Sequence, residues 1–143
     1  MTDIKTGIGR RMDLHGIDHF NVRGRPQDVD ALRDFYRDVL GLRQGARPAF
    51  KFPGYWMYLG ETPVVHISGS LPADGPAAAG AGSTGRVDHI SFRAQGFAAV
   101  CHELGERGIS CVPSPVPGMD IRQLFFVDPA GLKVELTFYG PDA

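Results

Sequence analysis

Four residues in this chain pair chemically useful side chains with a repeated spacing. His19 in "GIDHFNVR" (16–23) and His89 in "RVDHISFRA" (86–94) sit in near-identical phrases 70 positions apart. Each is followed by a second candidate at almost the same interval. His66 in "TPVVHIS" lies 47 residues after His19, and Glu135 in "LKVELTFY" lies 46 after His89. Imidazole and carboxylate are ligands of zinc, nickel, manganese and ferrous iron. Two imidazoles and one carboxylate leave coordination positions open for a substrate or dioxygen. An isolated His or Glu on a wet sheet face is ordinarily only solvated. Three histidines and a carboxylate at duplicated positions point jointly to a metal centre.

Such a site needs elements that aim the four side chains the same way. All four phrases alternate apolar and polar residues as strands do, and strand side chains alternate between faces. His19 then shares a face with Ile17 and Asn21, His89 with Val87 and Ser91, His66 with Val64 and Ser68, and Glu135 with Lys133 and Thr137. The opposite faces carry Phe20, Val22, Val65, Ile67, Ile90, Phe92, Val134, Leu136 and Phe138, an apolar set suited to covering by helices. An aromatic strand is more often core than pocket. In "GYWMYLG", however, alternation sets Trp56 and Tyr58 on one face, so these two join Asn21 and Ser91 as candidate substrate contacts.

The elements repeat as well. After the first strand, "RPQDVDALRDFYRDVLGL" reads as a helix opened by Pro26 and Asp28 and closed by Gly41, with Val29, Leu32, Phe35, Tyr36, Val39 and Leu40 at helical spacing. Strands are expected around "PAFKF", "GYWMYLG" and "TPVVHIS", the last two joined by the turn "GETP". In the second half, "FAAVCHELGERG" is the helix, with Phe97, Val100 and Leu104 on one side. "GISCVPSP", "IRQLFFVD" and "LKVELTFY" follow as strands, with "DPAG" a strong turn signal before the last. This is βαβββ twice. The expected boundaries are an N-terminal tail (1–15), a first module (16–68), a Gly/Ala/Pro/Ser-rich flexible linker (69–86) and a second module (87–140). Each module has too few residues to be comfortable alone, so the two form one domain over 16–140 or pair with a second chain.

Composition narrows the partners. The 143 residues are 43% hydrophobic and 22% charged, with a net charge of −1, as in a soluble globular protein. With no basic patch, nucleic acid is not expected as a partner, and no apolar run is long enough to span a membrane. The N-terminus lacks the apolar stretch of a secretory signal, which implies a cytoplasmic protein. Cys101 and Cys111 lack metal-site spacing and read as reduced thiols. His15 and His102 read as surface residues, and "GIGRR" is not placed to act as a phosphate loop.

In this order and spacing, "IDHFNV", "FYRDVLGL", "VVHIS", "VDHISF" and "FFVDPAGLKVEL" resemble the vicinal oxygen chelate superfamily, which holds glyoxalase I, fosfomycin-resistance thiol transferases, bleomycin-binding proteins and extradiol dioxygenases. The resemblance spans residues 16–139. It implies an α+β fold of two tandem βαβββ modules forming a curved, cup-shaped mixed sheet with helices on the outer face, assembled as a homodimer. It also implies one divalent metal per site that holds two vicinal oxygens of a small-molecule substrate. His19, His89 and Glu135 fall at the superfamily's metal-ligand positions. His66 falls where glyoxalase I-like members usually carry Glu. It thereby becomes the candidate catalytic acid–base group, or a fourth ligand. The resemblance implies an extradiol-type dioxygenase using Fe2+ or Mn2+ first. A glyoxalase I-like lyase or isomerase using Zn2+ or Ni2+ is the alternative, and a non-catalytic binding protein of the bleomycin-resistance kind a further one. The intact ligand triad argues against the last.

Overall fold

In the computed structural model, the described residues are 16–77, 87, 89–116 and 118–141. The expected N-terminal tail, with His15, and the second half of the expected linker lie outside them.

Two modules of the same order follow one another. The first comprises strand β1 (Phe20–Arg23), a short 3-10 turn (Pro26–Asp28), helix α1 (Val29–Asp38), β2 (Arg43–Gly45), β3 (Gly54–Leu59) and β4 (Thr62–Ser68). The second comprises β5 (His89–Ala94), helix α2 (Phe97–Glu106), β6 (Val112–Pro115), β7 (Ile121–Val127) and β8 (Lys133–Tyr139). The strands form two open four-stranded mixed sheets, ordered β1-β4-β3-β2 and β5-β8-β7-β6. In each, the first strand runs parallel to the last, and the other pairs are antiparallel. This is the α+β, two-module architecture that the repeat requires.

Proline at the start and an acidic residue in the first turn suit the beginning of α1, and Arg37 suits its C-terminal dipole. The helix stops because Gly41 takes a left-handed φ of 72°. Gly41 and Leu42 then donate back to the carbonyls of Arg37 and Tyr36 at 3.1 and 2.9 Å. Val29, Leu32 and Tyr36 bury one stripe of α1 against Val22, Met57, Val65 and Ile67 of its sheet. In the second module Leu104 packs with Leu124, Phe126, Val134, Leu136 and Phe138, flanked by Phe97 and Val100.

Aromatic contacts join the modules, with Phe20 against Phe92 and Phe35 against Phe126, both at 6.1 Å between ring centroids. A buried polar link reinforces them. Asp128, in the "DPAG" turn, accepts the Ala130 and Leu132 amides at 2.8 and 2.9 Å through Oδ1. Its Oδ2 accepts the Tyr36 hydroxyl of the other module at 2.8 Å.

The structure corrects two local expectations. "PAFKF" is not a strand; its place in the sheet is taken by the shorter β2 upstream. Residues 46–53 fold locally instead, with the Arg47 guanidinium over the Phe50 and Phe52 rings and the Phe50 amide bonded to the Pro48 carbonyl at 2.8 Å. Val64 does not share the face of His66. The β3–β4 register shifts between Met57 and Tyr58, leaving Val64 out of the pairing, and Val64 packs against the core.

Residues 69–77 lie along the start of the first module. Gly69 and Leu71 donate to the Pro53 and Gly24 carbonyls, and Gln27 and Arg25 bond the carbonyls of Ala73 and Gly75.

Candidate functional site

On the first sheet, register brings the candidates into one row. Asn21 pairs with His66, and His66 with Trp56. Cross-strand partners share a face, so all three point away from α1. His19, one residue before β1, leans over the same row. Its imidazole stacks on His66 at 3.8 Å, and the Trp56 indole stacks on the other side of His66 at 4.0 Å. His66 is therefore sandwiched between two rings.

That sandwich sets its chemistry. Desolvation, then the neighbouring His19, holds the His66 pKa below the ordinary histidine value. The nearby Pro63 carbonyl pulls the other way, more weakly, and Nε2 is buried without a partner. His19 is oriented by its sequence neighbour, its Nδ1 donating to Asp18 Oδ1 at 2.6 Å.

On the second sheet Glu135 is 5% exposed. The Thr137 hydroxyl bonds its Oε2 at 3.1 Å, and Ser91 bonds Thr137 at 2.7 Å. His89 Nε2 stands 3.6 Å from the same carboxylate oxygen, and the Phe125 ring meets the His89 imidazole edge-on at 5.7 Å. Phe125 pairs with Glu135 across the ladder as Trp56 pairs with His66. The duplication thus extends to the ring beside each donor pair. Sequence reading missed Phe125, which counting 69 positions on from Trp56 finds.

The other candidates are held by the protein itself. Asn21 Oδ1 accepts the Ser68 hydroxyl at 2.9 Å, the counterpart of the Ser91–Thr137 bond. The Tyr58 ring leans over Gly45, and its hydroxyl bonds the Ala46 carbonyl at 2.6 Å.

The four donors thus stand as two pairs, His19 with His66 and His89 with Glu135. Among the described residues no three His, Cys, Asp or Glu side chains are grouped to hold a metal ion. A separate groove of about 190 Å³ lies on the helix-bearing side, lined by Leu40, Leu42, Leu59, Phe92, Leu104 and Phe126 among others. None of the candidate donors borders it. No helix among the described residues is long and apolar enough to cross a membrane.

Two βαβββ modules with donors on the first and last strand of each invite comparison with known proteins. The family pattern described as "Glyoxalase/Bleomycin resistance protein/Dioxygenase superfamily" matches residues 16–136. The chain belongs to this superfamily. Its members share the vicinal oxygen chelate architecture, and the relatives agree. The chain is 30% identical over 136 residues to Glyoxylase I 4 of Arabidopsis thaliana, covering 93% of this chain and 76% of the relative. A solved structure of a candidate glyoxalase family protein from Bacillus anthracis superposes with a TM-score of 0.73 at 22% identity, covering 92% and 100% of the two chains. A glyoxalase/dioxygenase from Nostoc punctiforme superposes with a TM-score of 0.72 at 20% identity, covering 94% and 99%. The superfamily includes metal-dependent enzymes, and its fold accounts for the pairing of first and last strand in each sheet.

Proposed function

We propose that this superfamily member is a divalent-metal-dependent enzyme acting on a small molecule with two vicinal oxygens, by extradiol-type ring opening. One observation carries the reading: His66 keeps a buried Nε2 without a partner. A desolvated nitrogen without a partner costs stability, so a position that retains one calls for an occupant. The donor chemistry fits Fe2+ or Mn2+. His19, His89 and Glu135 supply two imidazoles and a carboxylate, and the bound ion would supply Lewis acidity toward both substrate oxygens.

The chain's own residues do the rest. With its pKa held down by desolvation and by His19, His66 can take a proton from a substrate hydroxyl at Nε2. Asp18 fixes the His19 ring, and the Ser91–Thr137 relay fixes the Glu135 carboxylate. Trp56, stacked on His66, offers a flat wall beside the acid–base nitrogen. Since one chain presents only two donors on each face, the full set comes from the first module of one copy and the second of another, in a homodimer.

A glyoxalase I-like lyase using Zn2+ or Ni2+ is the second reading, supported by the 30% identity to a relative named as a glyoxylase I. His66 in place of a carboxylate weighs against it. Reconstitution followed by elemental analysis should find about one divalent ion per chain. Oxygen uptake with catechols under Fe2+, set against hemithioacetal turnover under Ni2+ or Zn2+, then separates the reactions. Metal-free protein after reconstitution would remove the whole reading. Hemithioacetal turnover alone would install the second.

A further inference from the structure

Beyond the four donors, the first sheet's polar face continues as a ladder of flat groups into the loop at residues 46–53. From the donor pair it runs His19, His66 and Trp56, with successive centroids 3.8 and 4.0 Å apart. Phe50 then lies 6.5 Å from Trp56, and Phe52 stacks on Phe50 at 5.1 Å with 9° between the planes. The Arg47 guanidinium sits 4.9 and 5.2 Å from these last two rings. Phe50 and Phe52 are nonetheless 45% and 37% exposed. Two exposed phenylalanines held in order beside a reactive face form a contact surface for something apolar and flat.

Arg47 adds a sign. The Arg25, Arg33, Arg37 and Arg107 guanidiniums each bond an Asp or Glu carboxylate within 3.1 Å. Among the described residues Arg47 makes no such pair. Its hydrogen bond goes to the Phe52 carbonyl at 3.0 Å, which braces the loop and leaves the cationic charge uncompensated. A guanidinium over aromatic rings with no protein anion is complementary to an anionic group carried on an arene.

We infer that Arg47, Phe50, Phe52 and Trp56 form a recognition surface for a planar aromatic acid, the arene stacking on the rings and its carboxylate pairing with Arg47. The inference rests on reading this face as the reactive one, but binding at the ladder needs no metal. That separates its test from the test of the metal centre.

Metal-stripped protein is titrated with naphthoate, with cyclohexanecarboxylate (the charge without the arene) and with naphthamide (the arene without the charge). Calorimetry measures affinity, and the indole N–H resonance of Trp56, the chain's one tryptophan, reports the place. Naphthoate should bind best and shift that resonance. Combined Phe50→Ala and Phe52→Ala substitutions should weaken it about tenfold. Arg47→Gln should bring naphthoate down to the affinity of naphthamide, a loss of about fivefold. These residues are in an exposed loop, so the variants keep the core. Cyclohexanecarboxylate binding as well as naphthoate would overturn the inference, as would variants with undiminished affinity. So would a lack of saturable naphthoate binding together with self-association that the double substitution abolishes. That last result would assign the rings to a contact between copies. Naphthoate binding in a protein that takes up no metal would leave this surface standing and remove the metal reading.

Discussion

His66 is held in place by its two stacking partners, and its free nitrogen contributes nothing to that. Replacing the imidazole with a phenyl ring keeps the stack with His19 and Trp56 and removes the unpartnered Nε2, whose burial costs about 1–3 kcal/mol. His66→Phe is therefore expected to melt at or above the parent temperature while its reconstituted metal content and turnover fall. A variant that melts well below the parent and keeps its metal would assign His66 to the fold alone. Tyr36 and Asp128 make the opposite case, a buried pair whose hydrogen bond belongs to the fold. Burial raises the Asp128 pKa above 3.8, although the Tyr36 hydroxyl and the turn amides pull it down. A carboxyl with a raised folded-state pKa favours the folded state fully below its unfolded value, and that contribution is lost as pH rises through the folded value. Removing the Tyr36 hydroxyl takes away a donor to the ionised form. Tyr36→Phe should then cost about 1–3 kcal/mol near neutral pH and progressively less as pH falls toward 3.8. Urea denaturation at several pH values checks the slope; a penalty that does not change with pH would mean that Asp128 does not change its protonation over that range.

Among the elements, the antiparallel pair β3 and β4 sets the site's geometry because it presses Trp56 onto His66. The pair closes tightly at its start. A Cβ on Gly54 would lie 2.1 Å from the Ile67 carbonyl oxygen, and backbone cannot yield as a side-chain tip can. Gly54→Ala is expected to force the strands apart, costing roughly 1–3 kcal/mol in chemical denaturation and broadening the Trp56 indole N–H resonance. Unchanged stability would mean that the strand entrance moves freely. At this scale most of the fold was legible in the sequence. Alternation alone sorts His19, His66, His89 and Glu135 away from the helices, and the 3.6-residue stripe of α1 marks Val29, Leu32 and Tyr36 for burial. The failures have local causes that a two-residue period cannot register. The skipped pairing at Val64 turns it into the core, and cation–ring contacts around Arg47 fold "PAFKF" into a loop where alternation reads a strand.

For the whole molecule, the proposed metal centre requires the two donor pairs to be brought together. Alternation tells which way a side chain points but not how far one sheet stands from another, so the division of donors into His19–His66 and His89–Glu135 was not legible. In this chain the modules are joined through their apolar sides, by Phe20 against Phe92, Phe35 against Phe126 and Tyr36 against Asp128, and the donor faces do not share those contacts. The proposed two-fold dimer would offer each first module the second module of the partner, giving two equivalent composite sites. This predicts complementation. A first variant lacking His19 and His66 and a second lacking His89 and Glu135 are each expected to hold no metal. A mixed dimer of the two has one site built from both damaged modules and one built from both intact modules. With random exchange at equal amounts half of the dimers are mixed, so metal content should recover to about a quarter of the parent's sites, with activity in proportion. Recovery should require co-refolding or subunit exchange and should fail when each variant is kept apart. Sites completed within a single chain would show no recovery under any mixing protocol, because every chain would carry its own defect.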